Sequence, residues 1–142
     1  MFDKKFLDLA LEEAEKSRCV RQHVGCVIEK DGEVLMREHN GPSEKLGCLN
    51  GCLRENEKIE SGTRQGYCYT NCAETSAICF CARDGISTNG ANAYVSHQPC
   101  IICTKVMADA GIVNVYYKNA YPDELSPKIA AAAGLNFVHI KD

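Results

Sequence analysis

The chain has 142 residues, 45% of them apolar and 25% charged, with 16 Lys and Arg against 19 Asp and Glu for a formal net charge of −3. That size suits a single domain over residues 1–142 with one core, and no apolar run reaches the roughly 20 residues that cross a bilayer. The acidic balance and the lack of a Lys/Arg block weigh against a polyanion such as tRNA or DNA as the partner, since affinity there comes mostly from phosphate neutralisation, whereas a small nucleotide stays compatible.

Residues 2–17 are predicted as an amphipathic helix. Phe6, Leu7, Ala10, Leu11 and Ala14 share one face, and Lys4, Lys5, Asp8, Glu12 and Glu15 lie elsewhere. The opening Met1-Phe2-Asp3-Lys4-Lys5 lacks the apolar stretch of a secretory signal, so a cytoplasmic location is expected. Two apolar runs follow, Val24 to Ile28 and Glu33 to Met36. Lys30-Asp31-Gly32 between them is a hairpin signal.

Residues 40–70 read as irregular, with Gly41, Pro42, Gly47, Gly51, Gly62 and Gly66 scattered among Cys48, Cys52 and Cys68. A loop of that length in a compact domain is functional or pinned, and a metal is the expected pin. Residues 73–84 then read as a helix with Ala73, Ala77, Ile78 and Cys81 on one side. A short strand ends at Val95, and Cys100 to Ala110 is a helix. Val113 to Tyr117 is a strand, Asp123 to Ala133 a helix closed by Gly134, and Asn136 to Ile140 a last strand. A helix, a hairpin and then alternating helices and strands predict an α/β class: a mixed sheet with helices on both faces.

Ten cysteines need an explanation. In a reducing compartment, pairs at short spacing bind metal more often than they form disulfides. Cys72-Ala73-Glu74 and Pro99-Cys100-Ile101-Ile102-Cys103 together offer three thiolates to one ion and set a carboxylate two residues from the first. Zinc with three protein ligands keeps its fourth position for water, the mark of a catalytic site. Both Cys72 and Cys100 fall at predicted helix starts, where partial positive charge favours thiolate over thiol. Alone, Cys100-x-x-Cys103 also fits a closed zinc knuckle or a redox pair, and Glu74 also fits a plain acid in a first helical turn. Cys26, Cys79 and Cys81 lie on predicted core elements and read as packing thiols.

The paired motif resembles that of the zinc-dependent cytidine and deoxycytidylate deaminases, a His or Cys, then x-Glu, then a later Pro-Cys-x-x-Cys. The resemblance places Cys72, Cys100 and Cys103 on the zinc and makes Glu74 the proton shuttle. Other segments are similar to deoxycytidylate deaminases in the same order: Cys19-x-Arg21-x-x-Val24-Gly25-Cys26, His39-Asn40-Gly41-Pro42, Ser96-His97-Gln98-Pro99-Cys100, Ala110-Gly111-Ile112 and Tyr121-Pro122-Asp123-Glu124. That family usually has His at the position of Cys72 and Asn at that of Ser76. The stretch Cys72-Ala73-Glu74-Thr75-Ser76-Ala77-Ile78 looks more like the small cytidine deaminases. A third thiolate adds negative charge and weakens the metal as a Lewis acid unless helix dipoles or cationic neighbours compensate.

The resemblance implies a three-layer cytidine-deaminase-like fold with about five strands in its sheet. It implies hydrolytic deamination, dCMP to dUMP foremost. Deamination of a free nucleoside or another small heterocycle is the nearest alternative, with nucleic-acid editing and a non-catalytic zinc module behind it. Asn40, Ala73 and His97 become the candidate substrate-binding residues, and a homo-oligomer is expected. Some similar deoxycytidylate deaminases carry a second, structural zinc, for which Cys19, Cys48, Cys52 and Cys68 are the candidates here. Unpaired thiols, or a fourth ligand such as His23 or His39, are the other readings. Arg54, Lys58 and Arg64 read as solvated surface charge rather than phosphate contacts.

Overall fold

The computed structural model describes residues 1–42, 52–61, 68 and 70–141. Helix α1 spans Lys4–Ala14, shorter than the expected 2–17. Asp3 caps it, its carboxylate accepting from Lys5 N at 3.1 Å. Beyond Ala14 the chain is tied elsewhere, since Ser17 Oγ donates to the Asn40 carbonyl at 2.8 Å. Strands β1 (Gly25–Lys30) and β2 (Glu33–His39) form the expected antiparallel hairpin. Asp31 and Gly32 turn it with φ of 52° and 84°, the consecutive positive values that a tight two-residue turn requires.

Next, β3 (Gly41–Pro42) pairs antiparallel with β4 (Thr70–Asn71), and a short helix α2 covers Leu53–Asn56. The stretch 40–70 is therefore held at its ends by backbone pairing, Gly41 opposite Asn71. Two-residue strands carry no apolar alternation, so periodicity could not reveal them. Then α3 (Ala73–Arg83), β5 (Asn92–His97), α4 (Ile101–Asp109), β6 (Asn114–Asn119), α5 (Leu125–Ala133) and β7 (Asn136–His139) alternate as expected.

The main sheet has five strands in the order β2-β1-β5-β6-β7. Strand β5 is antiparallel to β1 and parallel to β6, and β7 is parallel to β6. The parallel pairs follow from the helical crossovers α4 and α5, which return the chain to the same end of the sheet. Side chains alternate across it. Cys26, Ile28, Ala93, Val95 and Val115 join the core beneath α3, α4 and α5, while Val27, Tyr94 and Tyr116 join the core beneath α1. Helices thus cover both faces, the three-layer arrangement expected.

The two layers are packed differently. Beneath α1 the core is aromatic, with Tyr94 and Tyr116 ring centroids 4.9 Å apart and Phe6 against Tyr94. Gly25 lets α1 lie close, because a Cβ there would overlap the Ala10 carbonyl oxygen and press on Ala14 N. Beneath α3 the contacts are small, Ala73, Ala77, Cys81, Ala91 and Ala93. Cys26 and Cys81 are buried packing thiols, but Cys79 is exposed. It lies two residues beyond Ala77, on the opposite side of α3 from the line Ala73, Ala77, Cys81.

At the strand starts, Asn114 Nδ2 donates to Asn92 Oδ1 (2.9 Å), Asn136 Nδ2 to Asn114 Oδ1 (3.0 Å) and Asn92 Nδ2 to Glu29 Oε1 (2.9 Å). This ladder links four strands in register and leaves the opposite ends of β5 and β6 for other work. No helix among the described residues is long and apolar enough to cross a membrane.

Candidate metal and catalytic site

Cys72 and Cys100 occupy the N-cap positions of α3 and α4, with extended backbones (φ −64°, ψ 152° and φ −72°, ψ 170°). Cys103 sits one turn into α4, on the same face as Cys100. The two helices converge at the sheet, and the three sulfurs lie within 4.8 Å of one another. Cys100 and Cys103 are buried and Cys72 is partly exposed, so the cluster opens on one side. That side lies by the carboxyl end of β5, where open α/β sheets commonly bind ligands.

Local chemistry aims these ligands. Pro99, fully buried, leads into α4 without needing a hydrogen-bond acceptor for a backbone N–H. Asp123 then ties the helix start down. Its Oδ2 accepts from Ile101 N at 2.8 Å, and its Oδ1 accepts from Leu125 N and Ser126 N, both at 3.1 Å. One carboxylate thereby caps α4 and α5 together. Gln98 Nε2 donates to the Asp123 carbonyl and to Ser126 Oγ, each at 3.1 Å. Sequence reasoning overlooked Asp123 and Gln98. An Asp just ahead of a helical run is a capping signal that could have flagged Asp123 for α5, but no local signal foretells its bond to Ile101 N, 22 residues away.

Glu74 is 4% exposed. Burial, with the neighbouring Cys100 thiolate adding to it, pushes its carboxyl up to about 8. The thiols divide unequally. Cys100 is held far below the usual thiol range by hydrogen bonds from the Cys103 and Cys72 thiols, aided by the N–H groups of Cys103 and Ile102. Sharing with Cys100 pushes Cys72 and Cys103 upward in turn. Thr75 Oγ1 stands 3.3 Å from Cys103 Sγ. Three sulfurs and a carboxyl gathered in a buried space repel one another as anions, and a dication removes that repulsion. Soft thiolate donors on two helix N-termini fit zinc.

The candidate substrate contacts are placed as follows. Asn40 is 8% exposed, its Oδ1 accepting from Val24 N and its Nδ2 donating to the Gln22 carbonyl, both at 2.8 Å. It braces the run into β1, and the Gly41–Asn71 pairing brings its segment beside that of Cys72. Ala73 has a fully buried side chain, so its backbone N–H, among the free first-turn donors of α3, is what it can offer. His97 ends β5, half-buried, with Nδ1 2.9 Å from Ser96 Oγ, and burial pushes its pKa down. Ser96 Oγ accepts from Gly25 N at 2.9 Å.

Among the described residues, Cys72, Cys100 and Cys103 are the one grouping of three ligand side chains. Cys19, Cys52 and Cys68 form no second such group, and Cys48 lies outside the described residues. The alternative ligands are engaged otherwise: His39 Nδ1 pairs with Glu13 Oε2 at 2.7 Å, and His23 Nε2 meets the Cys19 carbonyl at 3.0 Å. Arg54, expected at the surface, is buried, with Nη2 donating to the Glu60 carbonyl at 3.3 Å. Arg64 lies outside the described residues.

Residues 1–119 match the sequence profile of the cytidine and deoxycytidylate deaminase zinc-binding region. The chain belongs to this deaminase family. It is 33% identical to the deoxycytidylate deaminase of Saccharomyces cerevisiae, over 94% of this chain and 43% of that protein. It is also 33% identical to the deoxycytidylate deaminase of Mycobacterium phage D29, over 82% of this chain and 93% of that one. The crystal structure of the cyanophage S-TIM5 dCMP deaminase with dCMP and dUMP superposes with a TM-score of 0.80 at 24% identity, covering 96% of this chain and 95% of that one, which shows a shared fold. As a member of the family this deaminase is a zinc-dependent hydrolase.

Proposed function

We propose that this deaminase hydrolyses the 4-amino group of a cytosine nucleotide, converting dCMP and water into dUMP and ammonia. The observation that carries the reading is the Glu74 carboxyl, buried against three converging sulfurs at the starts of two helices. Cys72, Cys100 and Cys103 would hold the zinc, which when bound makes water nucleophilic near neutral pH. Glu74 moves the protons. Its carboxylate takes one from the attacking water and passes it to ring N3, then takes the second from the hydroxyl newly bonded to C4 and passes it to the departing amine. Carbon C4 gains oxygen and loses nitrogen, with no change of oxidation state.

The nucleotide is supported by the names of the relatives, among them the phage D29 protein whose length this chain nearly spans. Asn40, the Ala73 N–H and neutral His97 are the substrate contacts of this reading. Residues 1–142 act as one catalytic domain, in the cytoplasm and as a homo-oligomer, which light scattering tests. A structural zinc on Cys19, Cys48, Cys52 and Cys68 is a further part of the proposal. Two equivalents of zinc per chain support it, and one equivalent removes it.

The deciding experiment is ammonia release from dCMP, deoxycytidine, cytidine and guanine, measured side by side. The expected order puts dCMP first in kcat/KM. A nucleoside or guanine ahead of dCMP sinks the nucleotide reading.

A further inference from the structure

Three thiolates around one dication leave a net negative charge, which dulls the metal's pull on electrons. Hydrogen bonds to the sulfurs draw that charge away. At Cys100 the backbone does this, through the N–H groups of Cys103 and Ile102. At Cys103 the neighbour is a side chain, Thr75 Oγ1 at 3.3 Å. A metal-bound thiolate has no proton, so the hydroxyl must be the donor.

Thr75 is the third residue of α3, and the residue four before it, Asn71, lies outside the helix. A helical Thr commonly turns its hydroxyl back to the carbonyl four residues earlier. Thr104 does so, its Oγ1 donating to the Cys100 carbonyl at 2.8 Å. Thr75 instead reaches from the first turn of α3 to a sulfur on α4, so the bond spans the two ligand-bearing helices. It stands three residues after Cys72, on the same helical face.

We propose that Thr75 is a positioning residue of the zinc centre: its hydroxyl donates to the Cys103 thiolate, orients that ligand across the α3–α4 junction and withdraws charge from the sulfur. This rests on the zinc reading of the site. It assigns the compensation for the third thiolate to a neutral donor rather than to a cation.

The test uses the full chain loaded with Co(II), comparing wild type with Thr75→Val, which keeps the shape and removes the hydroxyl, and with Thr75→Ser, which restores it. Thr75→Val should move the sulfur-to-cobalt charge-transfer band to longer wavelength. It should also weaken metal binding about 10- to 100-fold in chelator competition, the usual effect of losing a bond to a ligand. Thr75→Ser should return both readings toward wild type. Thr75→Val with an unchanged band and unchanged affinity overturns the proposal, whatever its melting temperature. Should Thr75→Val fail to fold, Thr75→Ala carries the same comparison. A wild-type protein that shows no sulfur-to-cobalt band overturns the zinc reading itself.

Discussion

Glu13 and Glu74 both have little solvent-exposed surface, 5% and 4%, but Glu74 lies deeper within the protein, and their carboxyls shift in opposite directions. Burial raises both. Around Glu13, hydrogen bonds from His39 and Lys16 outweigh that rise and bring the carboxyl below its ordinary range. His39 Nδ1 lies 2.7 Å away, Lys16 Nζ and Arg37 Nε 3.2 Å each. Around Glu74 the neighbours are thiols, and the Cys100 thiolate adds to the rise. At Glu74 desolvation is the largest cause and prevails, whereas at Glu13 the hydrogen-bonding partners together outweigh it. The first carboxylate clamps α1 to the edge strand β2, and the second is left able to hold a proton.

Breaking the second site should have the larger effect. Glu74→Gln should lower kcat by on the order of 100- to 10,000-fold, the range for a lost general acid and base. Its zinc content by metal analysis should match wild type. Retained turnover would move the proton transfer away from Glu74. Glu13→Ala should instead leave kcat per folded molecule intact and lower unfolding stability by about 1–3 kcal/mol, because His39 and Arg37 lose a buried partner. Denaturant unfolding alongside an activity assay separates the two outcomes.

The pH dependence sharpens the contrast. The folded carboxyl of Glu13 lies below its ordinary 4.5, so its contribution is fully present above that value and is lost as pH falls through the folded one. Glu38, next to His39, shifts upward by burial and has the opposite slope. Comparing Glu13→Gln with wild type isolates the first: the variant should lose less stability below about pH 4.5, read from urea midpoints across pH 3–6. A steeper acid loss in the variant would contradict the pairing. The smallest effect belongs to Lys16→Ala. Its Nζ end is mostly solvent-exposed, 57% for the side chain, so the change should stay below about 1 kcal/mol.

Residue order alone determined much of this protein. The alternation of apolar and polar positions set the elements, because helix and strand periods are local properties of the chain. Asp31-Gly32 specified the hairpin turn through the backbone conformations those residues tolerate. The spacing of Cys72, Glu74, Cys100 and Cys103 announced a zinc chemistry before any fold was known. Tertiary structure decided what depended on residues far apart. It brought α3 and α4 together so that two helix starts share three sulfurs. It used Asp123, beyond β6, to cap the helix that carries Cys103. It turned Cys79 outward and buried Arg54. It also set Glu13 among cations and Glu74 among thiols. Local sequence cannot contain these outcomes, because hydrogen bonding and desolvation depend on neighbours in space, and only the assembled sheet with its two helical layers chooses them.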